Sequence, residues 1–437
     1  MQLDYIPLLM FALLMVSLAL GIPISFSLLA VALIFGTALW GTGGVSLIIS
    51  ATWGTMNNFT LIAIPLFIFM ALILQKAKVV EDLYDAFYKW SGPLRGGLAV
   101  ATVLVGAMLG AISGVVAAGV IGLGLIGLPQ MLKYGYDRKV SLGSVMAGGT
   151  LGQLIPPSTN MVVYGAVTGV SIGGLFAGGI TCGLLLTFIY AAYILIRSYI
   201  NKDYCPALPP NERASAREKL IALKNVFLPA GLIILVLGSV LTGMSTPTEA
   251  AAFGAGGAML FVILNKRFSK ALLCEASLET LEITSMVCWI VVGASAFGAI
   301  FSGIGGNSLI SSIASSLPGG AWAVFSVAVL FIFILGMFLE PAAMIMLAAP
   351  IVSPLIAQAG FDSLWWGLVF MMLLQVAYLS PPFGFTLFYM KGAASDDVSI
   401  EEIYIAALPF MALQGLGLFL IIVFPDIALW LPQLLIK

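Results

Sequence analysis

Pro156 and Pro157 stand side by side inside an apolar segment, Val140 to Gly169, that is long enough to cross a membrane as a helix. Proline lacks a backbone N–H and its ring clashes with the preceding turn. The residue before it, here Ile155, is driven towards extended geometry. The segment must therefore break. At membrane depth, broken backbone survives only where protein buries it or a wet cavity receives it. Ser158, Thr159 and Asn160 then open the second half-helix with oxygen ligands to offer. A lone proline would read as a structural kink. Here the device recurs at Ser380-Pro-Pro-Phe-Gly384, and interrupted helices in corresponding halves of a chain point to a transporter's binding site.

The composition agrees with a membrane setting. Of 437 residues, 61% are hydrophobic and 8% charged, which is more apolar surface than a soluble core absorbs. The apolar runs are long and lack strand alternation, so the chain reads as an all-α polytopic membrane protein and not a barrel. Its first 20 residues carry Asp4 and no basic stretch, as in a retained span and unlike a cleaved signal. Cys182, Cys205, Cys274 and Cys288 are scattered with no CxxC, which suggests neither disulfide nor metal. Histidine is absent, removing histidine proton relays, imidazole metal sites and Ser-His catalysis. With no histidine to activate a nucleophile and no paired intramembrane carboxylates, an intramembrane hydrolase is disfavoured and the chain reads as a non-enzyme. A net charge of −1 without a basic, aromatic-laced run argues against nucleic acid.

In chain order, Tyr5–Leu20 and Pro23–Trp40 are paired spans, Gly41–Thr60 is a polar segment, and Leu61–Gln75 is a further span. Val79, Val80, Leu83, Phe87 and Trp90 recur at helical spacing in a charged stretch, predicting an interfacial arm. Past the charged loop Arg197–Lys224 the chain repeats itself. Pro23 matches Pro247, Gly96-Gly97 matches Gly319-Gly320, and Gly110 matches Gly336. Gly135-Tyr-Asp137 matches Gly360-Phe-Asp362, Pro156-Pro157 matches Pro381-Pro382, and Ser171-Ile172 matches Ser399-Ile400. Each match alone is cheap, but all share an offset of 223 to 228 residues.

Charge sets orientation. All Lys and Arg except the terminal Lys437 can face the cytoplasm together, provided that Gly96–Leu132, flanked by Arg95 and Lys133, enters and leaves on one side. It then becomes a re-entrant helical hairpin with its tip near Ser113-Gly114. Gly319–Ala359, without flanking basic residues, becomes the mirrored hairpin with its tip near Phe338-Leu-Glu-Pro341. The expectation is two inverted-topology repeats with ten crossings, two hairpins and both termini periplasmic. The alternative keeps ordinary paired spans at both hairpins. On the inverted reading the chain divides into scaffold spans with an arm (1–95), hairpin and broken helix (96–170), a connecting span and loop (171–226), second scaffold spans with an arm (227–318), second hairpin and broken helix (319–395), and a C-terminal span (396–437).

Two tips and two Pro-Pro breaks would meet near the midplane, where half-helix ends hold a carboxylate on N–H groups and a cation on carbonyls. Ser113, Gly114, Gly152, Pro156, Ser158, Thr159 and Asn160 would form one half-site; Glu340, Leu379, Ser380, Pro382, Gly384 and Thr386 would form the other. Oxygen ligands suit a hard cation such as sodium, with Ser113, Ser158, Glu340 and Ser380 as its candidate ligands; a proton is the alternative. Glu340 is the sharpest of these, since an acid within an apolar run is costly. It also reads as the start of a helix at Pro341. Thr246-Pro-Thr-Glu249 reads as a capping box.

The chain closely resembles the large membrane (M) subunit of the tripartite ATP-independent periplasmic (TRAP) transporters. The resemblance lies in Asn58-Phe-Thr-Leu-Ile-Ala-Ile-Pro-Leu-Phe67, Gly110-Ala-Ile-Ser-Gly114, Gly149-Thr-Leu-Gly-Gln-Leu-Ile-Pro-Pro-Ser158, Thr246-Pro-Thr-Glu-Ala250 and Ser380-Pro-Pro-Phe-Gly384. It implies a sodium-driven, elevator-type importer of a small organic acid in the bacterial inner membrane. It further implies a small four-helix Q subunit and a periplasmic substrate-binding P protein as separate partners, and no cofactor beyond the coupling sodium ions. Two positions depart from the family pattern: Val115 follows Gly114 where a hydroxyl is common, and Glu340 stands where Asp is more frequent. A stand-alone sodium/dicarboxylate carrier is the alternative.

Overall fold

The computed structural model describes residues 5–435 except 114, 115, 202 and 396, without the side chains of 113 and 225. The helices open with α1 (Ile6–Ala19), α2 (Ile24–Trp40), α3 (Thr42–Met56), α4 (Ala63–Lys76) and α5 (Val79–Ser91). Next come α6 (Gly97–Ser113), α7 (Val116–Lys133), α8 (Arg138–Thr150), α9 (Thr159–Thr168) and α10 (Ile172–Ile200). The second half has α11 (Ala216–Leu241), α12 (Pro247–Leu264), α13 (Lys270–Gly303), α14 (Gly306–Ser316) and α15 (Gly320–Gly336). It ends with α16 (Pro341–Gln358), α17 (Ser363–Tyr378), α18 (Phe385–Ala393), α19 (Ile400–Val423) and α20 (Asp426–Leu435). No strand occurs among the described residues.

Among the described residues, eight helices are long and apolar enough to cross a membrane. Two of these, α7 and α16, lie in the segments expected as re-entrant hairpins. They pack against α6 and α15 respectively, so each pair doubles back. Both Pro-Pro segments are interrupted: α8 gives way to α9 across Pro156-Pro157, and α17 to α18 across Pro381-Pro382, each with a cis bond between the prolines.

The residues that matched at a constant offset do the same local work in both halves. Asp137 caps α8 by accepting the Val140 N–H (3.1 Å), and Asp362 caps α17 by accepting that of Trp365 (2.7 Å). Ser171 and Ser399 cap α10 and α19 on the N–H groups of Gly174 and Glu402. Such caps satisfy backbone donors that a helix start leaves open. Thr246 and Glu249 form the expected reciprocal capping box.

Two stretches differ from expectation, and a third, the arm, shows where its apolar face goes. Gly41–Thr60 contains a helix, α3, because Val45, Leu47, Ile48 and Ile49 supply an apolar stretch and Ile48 is buried between neighbours; α3 packs on α2 and α13. The arm α5 turns its apolar face to α6 and α11, burying Val79, Val80 and Leu83. The C-terminal segment holds two helices, since Pro425 cannot continue α19, and α20 folds onto α10.

Charged side chains pair across the two halves at one set of helix ends. Lys76 reaches Glu279 (2.8 Å), Arg267 reaches Asp82 (2.5 Å), and Arg138 pairs with Asp397 and, more distantly, Glu402. The loop after α10 is tied there too: Leu208, Gly96 and Asp137 take part in backbone bonds that lace it to both flanks of the α6–α7 pair.

Candidate functional site

The second half of each broken helix packs on the opposite hairpin: α9 on α16, and α18 on α7. This interlock brings the starts of α9, α16 and α18, together with Val116 of α7, to one cavity of about 280 Å³. Its lining includes Thr159 and Asn160 of α9, Pro341 of α16 and Phe385 of α18. A helix start carries free N–H groups and about half a positive charge, so the three together favour an anion. Facing them, Ile64 and Ile68 of α4 and Ile283, Met286 and Val287 of α13 form an apolar wall.

Glu340 borders the cavity as the N-cap of α16, making no cap bond with its side chain. Its Oε2 is shielded from solvent and has no hydrogen-bond partner, and the same holds for the Tyr378 hydroxyl on the same cavity. A buried polar atom left unpaired costs about 1–3 kcal/mol, a cost that a group contacting this pair would relieve. No Lys or Arg is among the lining residues. Glu340 also borders a second cavity of about 780 Å³, which runs past Phe338 and Phe383 to the Gly21-Ile22 turn.

Of the residues expected from sequence, Thr159, Asn160 and Glu340 meet on the smaller cavity. The other described ones do not line it. Ser158 is fully buried and spends its hydroxyl locally, donating to the Gln153 carbonyl (2.5 Å) and accepting the Met161 N–H. Asn160 leans on the same residue through Gln153 Oε1 (3.4 Å). Gly152 and Pro156 are buried, and Gly152 lies so close to α6 that a Cβ on Gly110 would come within 2.2 Å of its Cα. Ser380 donates to the Val376 carbonyl (2.7 Å) and faces Met411. Leu379 is buried, and the Pro382 carbonyl accepts from Tyr404 (2.9 Å). Gly384 folds back on Tyr378, whose carbonyl oxygen a Cβ would meet at 2.4 Å. Thr386 is fully buried with an unpartnered hydroxyl. Ser113 ends α6, but its side chain, Gly114 and Val115 fall outside the described residues.

Sequence reasoning missed Tyr378 and Tyr389, both on the cavity. Tyr378 immediately precedes Leu379, and Tyr389 lies one turn beyond Phe385 on the same face. That spacing was the available signal. Among the described residues no cluster of three or more Cys, Asp or Glu could hold a transition metal.

Solved structures confirm the architecture at low sequence identity. The Alcanivorax borkumensis YdaH transporter superposes with a TM-score of 0.62 at 14% identity, covering 98% of both chains. MtrF of Neisseria gonorrhoeae, described as an antimetabolite efflux pump, gives 0.59 at 13% identity over 90% of this chain and 85% of its own. Sequence relatives are nearer. The C4-dicarboxylate TRAP transporter large permease protein DctM of Pseudomonas aeruginosa is 32% identical over 87% of each chain. The ectoine/5-hydroxyectoine large permease protein UehC of Ruegeria pomeroyi is 30% identical, covering 97% of this chain and 98% of its own. The sialic acid large permease protein SiaM of Vibrio cholerae is 28% identical over 95% of each. These relatives are membrane permease subunits and not enzymes. Residues 11–427 match the family described as the tripartite ATP-independent periplasmic transporter, DctM component, and the chain therefore belongs to that family as a multi-pass large permease subunit.

Proposed function

We propose that this chain is the translocating subunit of a sodium-driven importer of a small organic acid in the bacterial inner membrane. Its partners are a small four-helix membrane subunit and a periplasmic binding protein that delivers the solute. The observation that carries this reading is the meeting of the starts of α9, α16 and α18 with Thr159, Asn160 and Glu340 on one cavity. The N–H groups receive the substrate carboxylate. The unpartnered Glu340 oxygen and neighbouring hydroxyl and amide oxygens suit a hard cation, and with no Lys or Arg on the wall, co-bound sodium supplies the neutralising charge. The substrates named for the relatives, C4-dicarboxylate, ectoine and sialic acid, all carry a carboxylate.

The two halves are inverted repeats on this reading, α6–α7 and α15–α16 are re-entrant hairpins, and 96–170 with 319–395 move as a transport domain. Support comes from the matched caps and from the cavity's makeup: its polar groups sit on α9, α17, α18 and the start of α16, whereas the α4–α13 wall is apolar and offers a sliding body nothing to hold. Orientation by basic residues puts the Gly21-Ile22 turn in the cytoplasm, so the larger cavity beside Glu340 is the inward opening.

The test is uptake into proteoliposomes holding this chain and its small subunit, with the binding protein outside and sodium imposed inward. Accumulation is expected only with both sodium and binding protein. Accumulation with sodium alone would establish the stand-alone carrier instead. Glu340→Gln is expected to reduce sodium-dependent uptake at least about tenfold, the scale of losing one charge-assisted contact, with insertion unchanged. Uptake by Glu340→Gln with unaltered sodium dependence would remove Glu340 from coupling.

A further inference from the structure

We propose that Gln414 is a positioning residue that clamps the two broken helices to each other, so that both Pro-Pro breaks move as one body. Its Nε2 donates to Thr150 Oγ1 (3.2 Å) and to Gln375 Oε1 (3.3 Å). Thr150 is the last residue of α8 and stands six residues before Pro156; Gln375 lies on α17, six residues before Pro381. The two acceptors are thus separated by 225 residues, the same offset as the two Pro-Pro pairs. One side-chain amide on α19 therefore grips the equivalent turn of both halves at once, and α19 packs on α8 and α17 to hold it there.

The bridge follows from the surroundings of the amide. Thr150 gives its hydroxyl hydrogen to the Ala147 carbonyl (2.9 Å) and so accepts from Gln414. With Gln375 presenting its oxygen, a flipped Gln414 would set oxygen against oxygen; flipping both amides keeps Gln414 between Thr150 and Gln375, so the bridge stands in either orientation. All three side chains are 0% exposed, and with no water to compete, such bonds are strong and their loss leaves buried groups unpaired. Leucine at 414 would fill similar space but could not bridge two helices, since it has no polar group to bond to either partner. The cluster is separate from the cavity: Gln414, Gln375 and Thr150 do not line it. Its effect on transport runs through the breaks that carry Thr159, Asn160 and Tyr378.

This inference rests on reading the two breaks as halves of one site, but its test needs neither sodium nor substrate. Amide hydrogen exchange is followed in the full chain in lipid nanodiscs for the wild type, Gln414→Leu, Thr150→Val and Gln375→Leu. Gln414→Leu is expected to speed exchange about tenfold at both breaks, 151–158 and 376–384, the scale of one lost buried hydrogen bond per helix. The decisive arm is crosstalk. Thr150→Val, which keeps shape and should fold even if Gln414→Leu does not, is expected to speed exchange in the second break as well as its own. Gln375→Leu should do the converse. Changes confined to the substituted helix, or no change at either break, overturn the clamp while leaving sodium-driven uptake free to succeed or fail on its own. In parallel, each variant is expected to lose uptake in proportion to its crosstalk; normal uptake despite crosstalk would show that the two breaks need not move together, and would also overturn it.

Discussion

The two Pro-Pro breaks use the same backbone device and treat it differently. The first is sealed: Leu151 to Leu154 and Pro156 to Asn160 are all buried, Ser158 and Asn160 both bond to Gln153, and Gly110 lies against Gly152 backbone to backbone. The second is open. Phe383 is 49% exposed and pairs with Phe338, itself 55% exposed, with ring centroids 5.2 Å apart, while Thr386 holds a buried hydroxyl with no partner. Each break keeps a buried polar atom without a partner in the protein, Gln153 Nε2 at the first and the Thr386 hydroxyl at the second, so the difference lies in packing: a close-packed break resists rearrangement more than one with exposed aromatics. The comparison makes the first break the tighter of the two, although Thr159 and Asn160 at its edge line the cavity.

Substituting the glycines at the equivalent hairpin positions breaks this comparison most strongly. Gly110→Ala must push backbone away from backbone and is expected to destabilise by about 2–3 kcal/mol. Gly336→Ala meets only the Ala377 Cβ, at 2.8 Å, and is expected to cost about 1 kcal/mol. Thermal unfolding of both variants in one detergent measures the gap, and equal losses would mean the two hairpins are equally tight.

A smaller contrast lies in the hydroxyls. Ser158→Ala removes an N-cap and the bond to Gln153, costing about 1–2 kcal/mol. Thr386→Val replaces a buried hydroxyl that bonds to nothing in the protein by a methyl of similar size and is expected to stabilise by about 1 kcal/mol. If Thr386 meets the coupling cation, Thr386→Val raises the sodium concentration for half-maximal uptake without lowering the melting point. An unchanged sodium response would take Thr386 out of the site.

The smallest effect is at the surface, where Arg138 joins the start of α8 to the loop after α18. The Ser395 hydroxyl and the Arg138 guanidinium hold the Asp397 carboxyl below its usual value. A lowered carboxyl stabilises the fold above the unfolded value, about 3.9, and the contribution disappears as pH falls through the folded value. Arg138→Gln is thus expected to melt slightly earlier than the wild type at pH 7 and equally at acid pH, with the difference shrinking in salt. A gap that persists in acid would point to packing, not charge.

Much of this architecture was legible because its signals are local. A proline cannot continue a helix wherever it sits, so the breaks at 156–157 and 381–382 and the helix start at Pro341 followed from residue chemistry alone. Matched Asp137 and Asp362, Ser171 and Ser399 are caps, and a cap acts on its own next turn. The site was legible only in part. Thr159 and Asn160, chosen beside a break, and Glu340, chosen as an acid at a hairpin tip, line the cavity, yet Ser158 and Ser380, also chosen beside a break, turn their hydroxyls inward to Gln153 and Val376. Adjacent residues at a break share a sequence signal but point in different directions.

Sequence alone determined that this chain is a bundle of membrane helices, interrupted twice at equivalent places, because apolar length, proline and caps act through the backbone within a few residues. Only the tertiary structure decided which interruption is sealed and which is open. It also decided that α9 crosses to α16 and α18 to α7, and that one glutamine on α19 reaches both halves. Those outcomes depend on long-range packing between segments some 200 residues apart, where the identity of a side chain says what it can bond to but not which partner the fold will bring within reach.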